Sequence, residues 1–74
     1  MKMKRANAIL LMSFLLTEKG FFTKDEIVEK TGLAPSSFFL ALSDFRCFLL
    51  EYRPCYELVF LKEEGAYRLK EIKL

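Results

Sequence analysis

The side chains that most often carry catalysis or bind metals are scarce in this sequence. It has no histidine and two cysteines, Cys47 and Cys55. Without histidine there is no Ser-His-Asp or Cys-His nucleophile, no histidine-ligated zinc and no imidazole to shuttle protons. Two cysteines are too few for a closed four-ligand zinc site. Since a glycine-rich phosphate loop and paired carboxylates in an apolar setting are also missing, the sequence predicts neither an enzyme nor a metal or cofactor site.

The two cysteines are interpreted as reduced thiols that act as small apolar filler at the edge of the core. A secreted protein of this size usually carries four or more cysteines in disulfides. Residues 8–16 form an apolar run behind basic residues, as in a signal peptide, but no small-residue cleavage site follows. The run is also shorter than the roughly 20 residues that span a bilayer. We therefore expect a cytoplasmic protein that does not engage a membrane.

The chemistry that remains is hydrogen bonding to phosphates and base edges. Ser36, Ser37 and Ser43 supply hydroxyl groups for such bonds. Twelve Lys+Arg against ten Asp+Glu give a net charge of +2, which is mildly basic and short of the strongly basic composition that would itself indicate nucleic-acid binding. Between Lys30 and Arg46 the chain has no cation, and its only charge is an acid, Asp44.

Three helices must position these side chains within one domain, residues 1–74. Their predicted bounds are residues 4–19, 24–31 and 35–50. The second helix should begin at a capping box, because Thr23 is followed three positions later by Glu26 and then by an apolar run. Gly32 is its natural end, and Pro35 suits the first position of the third helix. Two helices joined by such a short turn are typical of a helix-turn-helix.

A β-hairpin is predicted over residues 55–72. Residues 55–61 and 66–72 are rich in strand-forming side chains, and the polar turn 62–65 between them ends in glycine. The pair Phe21 and Phe22 could add a very short strand before the second helix. The order helix, stub, helix, helix, hairpin predicts an α+β, mainly α fold, the winged helix-turn-helix, with three helices and a carboxy-terminal hairpin wing.

The spacing of apolar residues orients the third helix. Phe38, Leu42, Phe45 and Leu49 fall on one helical face and are predicted to point into the core. On a helical wheel the opposite, outward face carries Ser36, Leu40, Ser43, Asp44, Cys47 and Glu51. Phe39 and Leu50 lie at one flank of that face, and Ser37 lies at the other.

Residues 5–69 resemble the winged helix-turn-helix at the front of DeoR-like and WYL-domain bacterial transcription regulators. The resemblance is carried by residues 15–27, 31–33 and 42–46, and residues 57–60 and 65–69 look like that family's wing strands. These positions are mostly structural. Where family members usually place arginine or other polar residues at the start of the third helix, this chain has Ala34, Pro35 and Ser36, with Leu40 further along.

The resemblance implies a DNA-binding regulator, or its amino-terminal domain, whose third helix enters the major groove of double-stranded DNA. The expected readers on that helix are Ser36, Ser37, Phe39, Leu40 and Ser43. The expected clamps on the phosphate backbone are Lys24, Arg46, Arg53 and Lys62.

The apolar outward face of the third helix also has a second interpretation. Phe39, Leu40, Cys47 and Leu50, together with surplus apolar surface on the first helix, could form a patch larger than a monomer usually exposes. The alternative hypothesis is therefore a winged helix that has lost DNA binding and serves as a protein-interaction or dimerisation module, with a second copy, another domain of the same chain or another protein as its partner.

Overall fold

The computed structural model of the protein describes residues 4–72. Its elements in chain order are α1 (Lys4–Glu18), α2 (Lys24–Thr31), α3 (Pro35–Tyr52), β1 (Tyr56–Leu61) and β2 (Ala66–Glu71). The predicted α+β fold class is confirmed, since three helices are followed by a two-stranded antiparallel hairpin in a winged-helix layout. α2 has the predicted bounds, and α1 ends one residue earlier than predicted.

α3 continues two residues beyond its predicted end. The backbone N–H of Arg53 donates to the carbonyl of Leu49 at 2.8 Å and closes one more turn. The helix stops there because Pro54 disfavours helical backbone angles in the residue before it, and Arg53 has φ −142° and ψ 63°.

The capping box at the start of α2 is confirmed. The Thr23 hydroxyl accepts from the backbone N–H of Glu26 at 3.1 Å, and the Glu26 carboxylate accepts from the N–H of Thr23 at 3.4 Å. Gly32 ends the helix in the left-handed conformation, with φ 74°, and its N–H donates to the Val28 carbonyl at 2.8 Å. α2 and α3 then meet at an angle of 111°, within the range of a helix-turn-helix.

The hairpin, here called the wing (Tyr56–Leu61 and Ala66–Glu71), is joined to the helical part of the fold through Phe22, in the segment between α1 and α2. Phe22 forms an isolated antiparallel bridge with Tyr67, and the two residues exchange backbone hydrogen bonds of 3.1 and 2.8 Å. Their rings stack with centroids 5.2 Å apart. The short strand predicted at residues 21–22 is thus confirmed for Phe22, and a marginal two-stranded ribbon gains a partner and a buried face.

The core lies between the three helices and the inner face of the wing. The predicted inward stripe of α3 is confirmed, because Phe38, Leu42, Phe45 and Leu49 are all buried. From the other elements the core takes Ala8, Met12, Leu15, Phe22, Ile27, Leu33, Leu58 and Tyr67. No charged or polar residue is buried in residues 4–72, so the core of the described chain is entirely hydrophobic.

The interpretation of Cys47 as core filler is wrong. Cys47 is exposed and Cys55 is half-buried, and both thiols are free. Cys47 lies two positions from both Phe45 and Leu49, which places it on the side of α3 that faces away from the core. No single helix within residues 4–72 has the length and apolar composition needed to cross a membrane.

Candidate nucleic-acid interface

The outward face of α3 is open along its length. Ser36, Leu40 and Ser43 are exposed, as the wheel predicts, while Ser37 on the flank is half-buried. Leu40 is 54% exposed and the neighbouring Phe39 is 50% exposed. All five predicted readers therefore belong to the amino-terminal half of one helix, and four of them lie at its surface.

A groove runs beside this half of α3. It is lined by side chains from the start of α2, from α3 and from the wing, namely Thr23, Lys24, Asp25, Phe39, Phe60, Gly65 and Tyr67. The ammonium of Lys24 lies over the Phe39 ring, 5.6 Å from its centroid. Phe39 packs edge-on against buried Phe38, with centroids 5.1 Å apart, which holds its ring at the rim of the groove. The structure thus brings one predicted clamp, Lys24, next to one predicted reader.

Phe60 belongs to this groove and was missed by the sequence analysis. Strand alternation places it on the same side of β1 as buried Leu58, which suggests a core residue. Phe60 is instead 49% exposed, although its ring contacts Tyr67 with centroids 4.8 Å apart. The helices therefore cover this position of β1 only partly, whereas they bury Leu58.

The single charge on α3 between Lys30 and Arg46 is engaged by an ion pair. Arg5 Nε on α1 lies 3.2 Å from Asp44 Oδ2, and the two side chains are 52% and 48% exposed. The crossing of α1 over α3 brings the two groups together, and no short-range sequence pattern could have predicted the pair. Its consequence is that the negative charge on the outward face of α3 is partly neutralised.

The other predicted clamps are spread out. Arg46 lies on the side of α3 toward the wing, where it lines a second groove with Leu49, Leu50 and Tyr56. Arg53 follows the last turn of α3, about 25 Å along the helix axis from Ser36, and its Nη1 donates to the Tyr52 carbonyl at 2.8 Å. Lys62 is exposed in the turn of the wing. Arg46 and Arg53 thus lie in and just after the second half of α3, and Lys62 lies in the turn of the wing. These predicted clamps do not form a single cluster.

Ion pairs and cation–π contacts fix the wing to the end of α1 and the start of α2. The half-buried Phe21 ring has Lys19 Nζ at 4.6 Å and the Arg68 guanidinium at 5.5 Å from its centroid. Lys19 Nζ also contacts Glu26 Oε2 at 2.6 Å, and Arg68 Nε lies 3.4 Å from Glu64 Oε1. Residues of the wing, the stub and the capping box therefore form one connected network.

This network changes the acidity of Glu26. The hydrogen bond from Lys19 lowers the pKa of Glu26 below its ordinary value of 4.5, with the Thr23 N–H contributing further, although partial burial acts in the opposite direction. Glu26 is occupied as a cap and ion-pair partner, which makes it unavailable as a general base. Within residues 4–72 there is also no group of three or more His, Cys, Asp or Glu side chains that could hold a metal ion.

Comparison of the chain with protein-family models, with curated proteins and with solved structures gives no match.

Proposed function

We propose that the protein binds double-stranded DNA with α3 in the major groove, as a transcription regulator or its DNA-binding domain. The observation that carries this proposal is the solvent-exposed outward face of α3, a helix that follows α2 at an angle of 111°. A helix of about 10–12 Å diameter fits a major groove about 12 Å wide. The turn end of the wing, with Phe60 and Gly65, lies beside the amino-terminal half of α3, where it can approach the flanking DNA backbone.

Charge around α3 is compatible with this placement, although it is not abundant. Lys24, Arg46, Arg53 and Lys62 form no ion pair within residues 4–72, so their charges are available to phosphates. Of the acids near this surface, Asp44 on α3 and Glu64 in the turn each lie against an arginine, whereas Glu51 and Glu63 are exposed and form no ion pair within residues 4–72. Since phosphate neutralisation supplies most non-specific affinity, we expect weak, strongly salt-dependent binding to random sequence.

The test is fluorescence anisotropy of a labelled random-sequence duplex, titrated with the protein at several salt concentrations. Each phosphate contact contributes about 0.9 to the slope of log K against log salt. Replacing Lys24 or Arg46 by glutamine should therefore reduce the slope by about 0.9. Lys70→Gln is the matched control, because Lys70 is an exposed cation at the end of the wing away from its turn, and it should leave the slope unchanged. An absence of binding at low salt would refute the proposal.

A second candidate, docking of a protein partner, is favoured by the apolar surface at the other end of α3. Leu50 is 76% exposed and borders a groove of about 220 Å³. The groove is lined mainly by apolar side chains of α3 and the wing, with Arg46 and Glu57 at its edge. Sedimentation equilibrium tests for self-association through this surface, and a monomer at all concentrations would exclude a homodimer. In a dimer, Leu50→Glu should weaken association, because it places a charge in a desolvated contact.

A further inference from the structure

The exposed side chains in the amino-terminal half of α3 lack the groups that read purines. No Arg, Lys, Asn or Gln occurs between Lys30 and Arg46. Guanine is read chiefly by Arg or Lys and adenine by Asn or Gln, each through two hydrogen bonds. Asp44, which could accept a hydrogen bond from cytosine, is held by Arg5 at 3.2 Å.

What this half of α3 does present is a small apolar surface between two hydroxyls. Leu40 and Phe39 are each about half exposed. Ser36 is one turn before Leu40, and Ser43 is one turn after Phe39, so the four side chains are neighbours on the helix surface. We call Ser36, Phe39, Leu40 and Ser43 the reader patch.

One feature of the major groove matches an apolar surface. The C5-methyl group of thymine projects into the groove, and apolar side chains contact it. The methyl group of 5-methylcytosine occupies the same position on its ring. The following inference rests on the proposed binding of α3 in the major groove. We propose that Leu40 and Phe39 of the reader patch recognise pyrimidine C5-methyl groups, and that the protein selects DNA sequences by these methyl groups.

The charges around the reader patch support DNA as its ligand. The Lys24 ammonium lies over the Phe39 ring, so a cation available to a phosphate stands directly beside the apolar surface. The Arg5–Asp44 pair reduces repulsion of phosphates one helical turn after Leu40, on the same outward face of α3. Ser36 and Ser43 can donate to phosphates or to base edges on either side of a contacted methyl. Leu40 and Phe39 thus offer an apolar contact for a methyl group, and the two serine hydroxyls beside them can donate hydrogen bonds to the surrounding DNA.

The experiment compares four short duplexes of equal length and equal charge. The first two are alternating adenine–thymine and the same duplex with deoxyuridine in place of thymidine, which differ only in the methyl groups. The other two are alternating guanine–cytosine, without and with 5-methylcytosine. Burial of one methyl changes affinity about four-fold. We expect the thymine duplex to bind at least four-fold more tightly than its uracil counterpart.

Two variants of α3 test whether the preference for methylated duplexes arises from the reader patch. Leu40→Ala should reduce the thymine-to-uracil affinity ratio. Leu50→Ala is the matched control, since it removes the same atoms from an exposed leucine of the same helix, ten positions away, and it should retain the parent's ratio.

The outcomes separate the inference from the proposed function. A methyl effect in both pairs of duplexes supports recognition of the C5-methyl on either pyrimidine, while an effect only in the first pair supports recognition of thymine. Equal binding of the two members of each pair overturns the inference and leaves DNA binding in place. A ratio that Leu40→Ala leaves unchanged also overturns it. Absence of binding to every duplex contradicts the proposed function itself.

Discussion

Removing the acid from the outward face of α3 should strengthen DNA binding by releasing a cation. In Asp44→Asn, Arg5 loses the carboxylate that lies 3.2 Å from its Nε. Arg5 is about half exposed, so its guanidinium can then reach a phosphate on the strand that borders α3. The ion pair itself is a surface pair, and its loss should cost less than about 1 kcal/mol of unfolding free energy.

The expected magnitude follows from counterion release. One additional phosphate contact increases the steepness of the log K against log salt line by about 0.9. At about 0.1 M salt this corresponds to roughly eight-fold tighter binding than in the parent.

The assay is anisotropy with a random-sequence duplex over a range of salt concentrations, and Glu51→Gln is the matched control. Glu51 is also an exposed acid on the outward face of α3, and it forms no ion pair within residues 4–72. Both variants raise the net charge by one, but only Asp44→Asn frees an arginine. We therefore expect a steeper slope for Asp44→Asn alone. If the two variants gain affinity equally with unchanged slopes, Arg5 does not reach the backbone and the reasoning fails.

Three further predictions concern the fold that carries the interface. Phe45→Ala should lower the unfolding free energy in urea by about 3–5 kcal/mol, because it opens a cavity in the core, and a parent-like midpoint would mean that the orientation of α3 is wrong. Thr23→Ala should cost about 1 kcal/mol in the same assay through loss of the helix cap, whereas a replacement by serine should be nearly neutral. Because the pKa of Glu26 is lowered in the folded state, its contribution to stability is present above pH 4.5 and disappears as the pH falls through the lowered value. Urea midpoints measured against pH should show this loss in the parent and a smaller one in Glu26→Gln, and identical profiles would contradict it.

Local sequence patterns were sufficient to predict the elements and the core. The capping box at Thr23 and the glycine at position 32 bound α2 correctly, since both act over three or four residues. The spacing of Phe38, Leu42 and Phe45 predicted which face of α3 points into the core, because residues three or four positions apart lie on the same face of a helix. The exposed positions of Ser36, Leu40 and Ser43 follow from the same orientation.

Features that depend on how separate elements meet could not be predicted in this way. The Arg5–Asp44 pair requires the crossing of α1 and α3. The groove beside Phe39 depends on how the wing is placed against α2, which no short sequence pattern encodes, and the sequence therefore contained no indication that Phe60 lines it. Cys47 is a different case, since its wheel position already indicated solvent, but the general tendency of cysteine to be buried outweighed it in the prediction.

The bridge between Phe22 and Tyr67 has a consequence for how the chain folds. Helices and a hairpin form from neighbouring residues within microseconds, but this bridge joins opposite halves of the chain and must wait for the closure of the long segment between them. Until it closes, β2 offers its free edge to any other strand, including the same edge of a second molecule. While the bridge is open, this small domain is therefore most exposed to aggregation or strand exchange.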